Sequence, residues 1–203
     1  MSKRWMAYAA GIVVGAVLVT ARLIAQPSAV KPAQTPTAPA PEVSVVKVPA
    51  QVVLYTIYRG DYAQVGPAIG KLFALAGQKG LMPRGPAAMT YLNNPQLVSK
   101  EHWLTEIRIP VGEEALSQAG KLGEMTDVKR LPALEAARVT KAAGVADPAP
   151  LYEALDTWVS RNGYLGIDGP MEICEGGATG QSYAQMQCQI LLPVKKAAAE
   201  KRD

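Results

Sequence analysis

From Val43 onward, the hydrophobic positions follow two alternating periods, one of strands and one of helices. Val43–Val48 and Val52–Tyr58 are β-rich runs separated by Pro49-Ala50-Gln51. Asp61 opens a helical stretch, with Gln64 three residues on as a capping partner. Val65, Ile69, Leu72, Phe73 and Ala76 recur on one helical face, and Lys79-Gly80 stops it. Ala87–Leu92 reads as a strand and Asn93-Asn94-Pro95 as a turn. Trp103–Val111 is the clearest strand. Its odd-numbered residues Trp103, Thr105, Ile107, Ile109 and Val111 point one way, and Leu104, Glu106 and Arg108 point the other.

The same order returns about 83 residues later. Pro132 matches Pro49, and Leu134–Lys141 is the opening strand. Asp147-Pro148 starts a helix with a cap followed by proline. Leu151, Leu155, Trp158 and Val159 form its apolar stripe, and Asn162-Gly163 closes it. Gly169-Pro170 matches Gly85-Pro86 with one residue inserted, and Leu192-Pro193-Val194 matches Ile109-Pro110-Val111. The chain therefore predicts an α+β fold of two βαββ repeats, about 43–111 and 127–194, within a domain spanning 42–195. Residues 196–203 read as a basic, frayed tail.

The N-terminal quarter follows a different pattern. Lys3 and Arg4 precede an apolar run from Trp5 to Ala21, broken at Arg22 and resumed by Leu23-Ile24-Ala25. A helix over Trp5–Ala21 spans roughly 26 Å, and a snorkelling Arg22 brings it near the hydrocarbon thickness of about 30 Å. The basic flank places the N-terminus in the cytoplasm. Residues 1–25 thus predict a transmembrane signal anchor in the inner membrane, single-pass, with the domain in the periplasm. The alternative is a cleaved signal peptide and a secreted domain. Residues 26–41 hold Pro27, Pro32, Pro36, Pro39 and Pro41 and read as an extended spacer.

Charge narrows the partners. The net charge is +4, but residues 41–194 hold 13 Lys and Arg against 15 Asp and Glu. With no basic face in the body, no nucleic-acid partner is expected. One histidine, His102, and two cysteines outside any metal-ligating spacing predict neither a metal nor a cofactor. Cys174 and Cys188 fall on the two strands of a hairpin, where a disulfide and an inert buried thiol pair both remain open. Gly176-Gly177-Ala178-Thr179-Gly180 lacks the lysine of a phosphate loop and reads as the hairpin's connection.

Glu106 is the carboxylate on the clearest strand, with Arg108 on the same face. It is either an acid lining a groove or half of a structural ion pair. Tyr58, Tyr62, Tyr91 and Tyr183 supply aromatic area for a flat or cationic guest. Gln187 and Gln189 share a polar row with Tyr183, while Trp103 and Trp158 read as core.

Tyr58-x-Gly60-x-Tyr62, the helix ending at Gly80-Leu81, Gly85-Pro86, Tyr91 through Pro95, and Glu106 to Val111 together resemble the GyrI-like family. That family is also called the AraC effector-binding, or bacterial transcription-activator effector-binding, domain. The resemblance implies paired βαββ units, a concave antiparallel sheet with two helices packed behind, and a groove for lipophilic or cationic small molecules. It also implies a ligand-facing acid on the last strand of the second unit. That position here is Gln189, and its counterpart in the first unit is Glu106. The expected function is a membrane-tethered small-molecule-binding domain with Glu106, Tyr58, Tyr62, Tyr91, Arg108, Tyr183, Gln187 and Gln189 at the guest. The alternatives are a GyrI-like hydrolase using Glu106 and an envelope protein-interaction module.

Overall fold

The computed structural model describes residues 41–175 and 182–197. The expected anchor at 1–25, nearly all of the spacer, the Gly176–Gly180 connection and most of the tail lie outside the described residues. Among the described residues, no helix is long and apolar enough to cross a membrane.

Among the described residues, nine strands and two α-helices form the domain. The first repeat runs β1 (Ser44–Val48), β2 (Gln51–Arg59), α1 (Val65–Gln78), β3 (Ala88–Tyr91) and β4 (Leu104–Val111). The second runs β5 (Thr126–Leu131), β6 (Leu134–Lys141), α2 (Ala149–Arg161), a short β7 (Tyr164–Gly166), β8 (Met171–Cys174) and β9 (Cys188–Lys196). All pair in one curled antiparallel sheet of order β1-β6-β9-β8-β3-β4-β2-β5, with β7 added beside β9.

The sheet order has a twofold pattern. Each repeat builds half of the sheet but exchanges its opening strand: β1 pairs with β6 of the second repeat, and β5 pairs with β2 of the first. The halves meet at β3 and β8, where Ala88 faces Ile173, Met89 faces Glu172 and Thr90 faces Met171. Local detail repeats as well. The Arg84 amide donates to the Pro110 carbonyl at 2.8 Å, and the Ile167 amide to the Pro193 carbonyl at 3.0 Å. Gly80 and Gly163 end the two helices with φ of +67° and +69°, a conformation that costs other residues more.

Both helices lie on one face of the sheet. α1 packs Leu72 and Ala76 on Leu54, Ile107 and Ile109, and α2 packs Leu155 and Val159 on Val139 and Ile190. The opposite face buries a smaller cluster of Ala88, Ala136, Met171 and Leu191. The alternation expected for Trp103–Val111 holds through β4: Ile107 and Ile109 belong to the α1 core, while Glu106 and Arg108 sit on the face without helices. The start of α1 differs from expectation. A 3-10 turn, Tyr62–Gln64, precedes the helix, so Gln64 bonds through its backbone amide to the Asp61 carbonyl at 2.9 Å. The Asp61 carboxylate reaches the Lys100 ammonium at 3.1 Å.

Cys174 and Cys188 form a disulfide across β8 and β9, closing a loop with a sequence separation of 14. They stand where the first repeat has the cross-strand pair Tyr91 and Thr105. A loop of this length gives about 3 kcal/mol by restricting the unfolded chain. The double variant Cys174→Ser, Cys188→Ser should therefore melt roughly 6–12 °C lower than the oxidised protein in calorimetry. An unchanged melting temperature would show that the bond adds nothing to stability.

Candidate functional site

With residue n of the first repeat matching n + 83 of the second (Pro110 and Pro193, Gly80 and Gly163), Met89 and Glu172 are equivalent positions. They are also direct cross-strand partners. Glu172 therefore sits on the pseudo-twofold axis, and the side chain at the matching position is apolar. Because opposed residues share a face, Met89, Tyr91, Thr105, Glu172, Cys174 and Cys188 all belong to the helix side.

Glu172 is 1% exposed. Two tyrosine hydroxyls donate to its Oε1: Tyr152 from α2 at 2.5 Å and Tyr183 at 3.0 Å. Burial, followed by the Glu172 charge, pushes both hydroxyls far above the usual tyrosine range, so they remain donors. Tyr91 is raised for the same two reasons. Tyr62 lies in the turn before α1. Its ring centroid is 4.8 Å from that of Tyr91 and 4.3 Å from that of Trp103, onto which it stacks. Trp103 is itself held by a bond from its indole N–H to the Val98 carbonyl at 3.1 Å. Aromatic groups from both repeats thus converge on one buried carboxylate.

That carboxylate is only half satisfied. Glu172 Oε2 is buried without a hydrogen-bond partner, as are the Tyr62 hydroxyl and Thr105 Oγ1 on the same side. Buried polar atoms are nearly always paired. Three unpaired ones lie on this one side of the sheet.

A short turn positions Tyr183. Ser182 and Gln185 form a capping box around the 3-10 turn Tyr183–Gln185. Lys141, at the end of β6 and 0% exposed, donates to the carbonyls of Tyr183 and Met186, each at 2.9 Å. Its ammonium also lies 4.5 Å from the Tyr183 ring centroid. This turn breaks strand alternation and directs Tyr183 to the helix side, away from the polar row expected with Gln187 and Gln189. Gln189 instead pairs with Ile173 on the other face, and Gln187 is exposed.

The remaining expected residues are elsewhere. Tyr58 packs against the α1 core and donates to the Asp61 carbonyl at 3.2 Å. Glu106, 6% exposed, lies on the helix-free face. It takes the Arg108 Nε at 2.5 Å on Oε1 and the Lys129 ammonium at 2.8 Å on Oε2. Lys129 also lies over the Tyr55 ring, 4.2 Å from its centroid. Burial pushes the Glu106 carboxyl up, but the bonds from Lys129 and Arg108 and their charges outweigh it and hold the group below its usual range. A carboxylate bonded on both oxygens and held acidic is poorly suited to act as a general base. Two surface depressions, of about 550 and 280 Å³, lie along β1 and β6, and neither touches the tyrosine cluster.

Comparison with known proteins bears on the fold. The family described as GyrI-like small molecule binding domain matches residues 16–112. Over those residues the chain resembles that family. That match covers the first repeat, and the twofold pattern extends the unit through the second. The crystal structure of the EcmrR C-terminal domain is 22% identical, with a TM-score of 0.61, covering 77% of this chain and 99% of that one. EcmrR in its complex with DNA is 21% identical with a TM-score of 0.60. The match covers 78% of this chain but only 59% of that one. A hydrolase from Listeria innocua is 14% identical with a TM-score of 0.57, covering 78% and 94% of the two chains. At these identities the likeness is one of fold. No curated protein sequence matches the chain.

The Glu106 triplet gives a pH prediction. Its folded pKa lies below the unfolded value, so its stabilisation is complete above the ordinary glutamate value of 4.5 and is lost as pH falls through the folded value. Glu106→Gln should cost about 2–4 kcal/mol at neutral pH, since Lys129 is partly solvated. It should also flatten the acid limb of stability below pH 4.5. Urea unfolding across pH checks both, and an acid limb identical to wild type contradicts the assignment.

Proposed function

We propose that the GyrI-like domain is a receptor for a small, largely apolar aromatic molecule, held between its repeats with the guest's polar head at Glu172. The supporting observation is the buried carboxylate on the pseudo-twofold axis, with one oxygen held by two tyrosines and the other unpaired. Tyr62, Tyr91 and Trp103 offer rings on one side, and Tyr152 and Tyr183 hold the Glu172 carboxylate from the other. Tyr62 packs on Tyr91 and Trp103, so entry of a guest requires Tyr62 to lift from Trp103. A stacked surface pair of this kind contributes only about 0.5–1.5 kcal/mol, which a flat guest replaces with its own stacking.

Glu172 takes the role first expected of Glu106, because both Glu106 oxygens are already engaged by fixed cations. The expected N-terminal anchor and spacer would hold this receptor on the periplasmic side of the inner membrane. The Cys174–Cys188 bond is consistent with such an oxidising compartment.

A thermal-shift panel of aromatic amphiphiles, followed by calorimetric titration of the best binder, tests the site. Trp103→Ala should weaken binding about 3–10-fold, and Glu172→Leu about 10–100-fold. Glu106→Gln should leave affinity within about twofold, since it removes no contact to the guest. Binding that survives the first two changes and is lost with the third would overturn this reading.

A further inference from the structure

Relative to its own first repeat, the second repeat carries two charged side chains at buried positions. Glu172 stands where the first repeat has Met89, and Lys141 where it has Tyr58. Both are essentially inaccessible, at 1% and 0% exposure. Tyr183 lies between them, with its hydroxyl 3.0 Å from Glu172 Oε1 and its ring 4.5 Å from the Lys141 ammonium. The Glu172 charge also acts directly on Lys141. Burial is the larger influence on that lysine and pushes its pKa down, while Glu172 pushes it up.

The ammonium cannot withdraw. Two of its three donors are fixed on the Tyr183 and Met186 carbonyls, and its third side faces the aromatic ring. The other charge acting on Tyr183, Asp147, is exposed and therefore screened by solvent. The cluster thus already holds one negative and one positive charge on side chains without solvent exposure. A cationic guest would leave a buried excess of positive charge, whereas an uncharged guest leaves the balance intact. Glu172 Oε2 still lacks a donor, and an O–H or N–H from the guest would satisfy it.

Resting on the receptor reading above, we infer that the site selects neutral aromatic hydrogen-bond donors, such as phenols and aromatic N–H compounds, over cations, and that Lys141 sets this selectivity. Removing Lys141 leaves Glu172 uncompensated and converts the site to one for cations.

Three probes with the same ring system separate the possibilities: β-naphthol, a neutral donor at neutral pH; its methyl ether, neutral without a donor; and the naphthyl trimethylammonium ion, a cation without a donor. Calorimetric titration of the whole protein should give β-naphthol a Kd about tenfold or more below either of the others. In Lys141→Met the ammonium ion should gain about tenfold and overtake β-naphthol. Lys141→Gln keeps a carbonyl-bonding amide without charge and should show the same reversal if the methionine variant does not fold. Wild-type preference for the ammonium ion overturns the inference, as does an ammonium affinity unchanged when Lys141 is replaced. Equal binding of β-naphthol and its ether removes the donor requirement. Failure of all three probes to bind removes the site itself, and the charge argument with it.

Discussion

Taking the Glu172 carboxylate out of water costs several kcal/mol unless the interior supplies charge and donors in return. Much of the architecture at the repeat junction supplies them. Tyr152 must come from α2, so that helix is bonded to the seam strand as well as packed on the sheet. Tyr183 must leave the strand direction, so a capped 3-10 turn is set just before β9. Lys141 must lie beneath that turn, which pins both of its ends to β6. The disulfide ties β8 to β9 two residues from the acid. What these groups leave undone is one oxygen, and that residue of unmet demand is the basis of the proposed function.

The duplicated fold makes such a site possible. Two copies of one unit generate a seam where a position faces its own equivalent, and the exchange of β1 and β5 ties each half to the other. A strictly symmetric seam would place two acids, or two methionines, against each other. Met89 opposite Glu172 avoids paired like charges and leaves a single acid at the seam. The aromatic groups are divided in the same unequal way, with stacked rings from the first repeat and hydroxyl donors from the second. In the proposed receptor a guest would therefore meet two different walls and take a defined orientation. The helix-free face uses its charges differently: Glu106, Arg108 and Lys129 satisfy one another and stabilise the first half of the sheet.

Much of the framework was legible in the sequence because it rests on periodicity over long runs. Eight residues of β4 fix the faces of Ile107 and Glu106, and the apolar stripes with their closing glycines fix both helices. Tyr62, Tyr91 and Tyr183 were also identified as candidates, from aromatic character alone. Glu172 was not. β8 has only four residues, Met171–Cys174, between a Gly-Pro turn and a glycine-rich connection, and alternation over four positions does not say which side is buried. Lys141 closes β6, where a lysine ordinarily reaches solvent. Tyr152 sits beside the apolar stripe of α2 and gave no pattern of its own. The offset of 83 residues was the available signal: applied to Met89, it points to Glu172 at the one position where the repeats oppose themselves.

The most direct examination of the account is a crystal structure of the protein with β-naphthol bound. The account places the naphthol oxygen about 2.7 Å from Glu172 Oε2, with the Tyr62 and Trp103 rings parted around the guest and Lys141 still on its two carbonyls. A guest found instead along β1 and β6 or beside Glu106, with Tyr62 still stacked on Trp103, would contradict it.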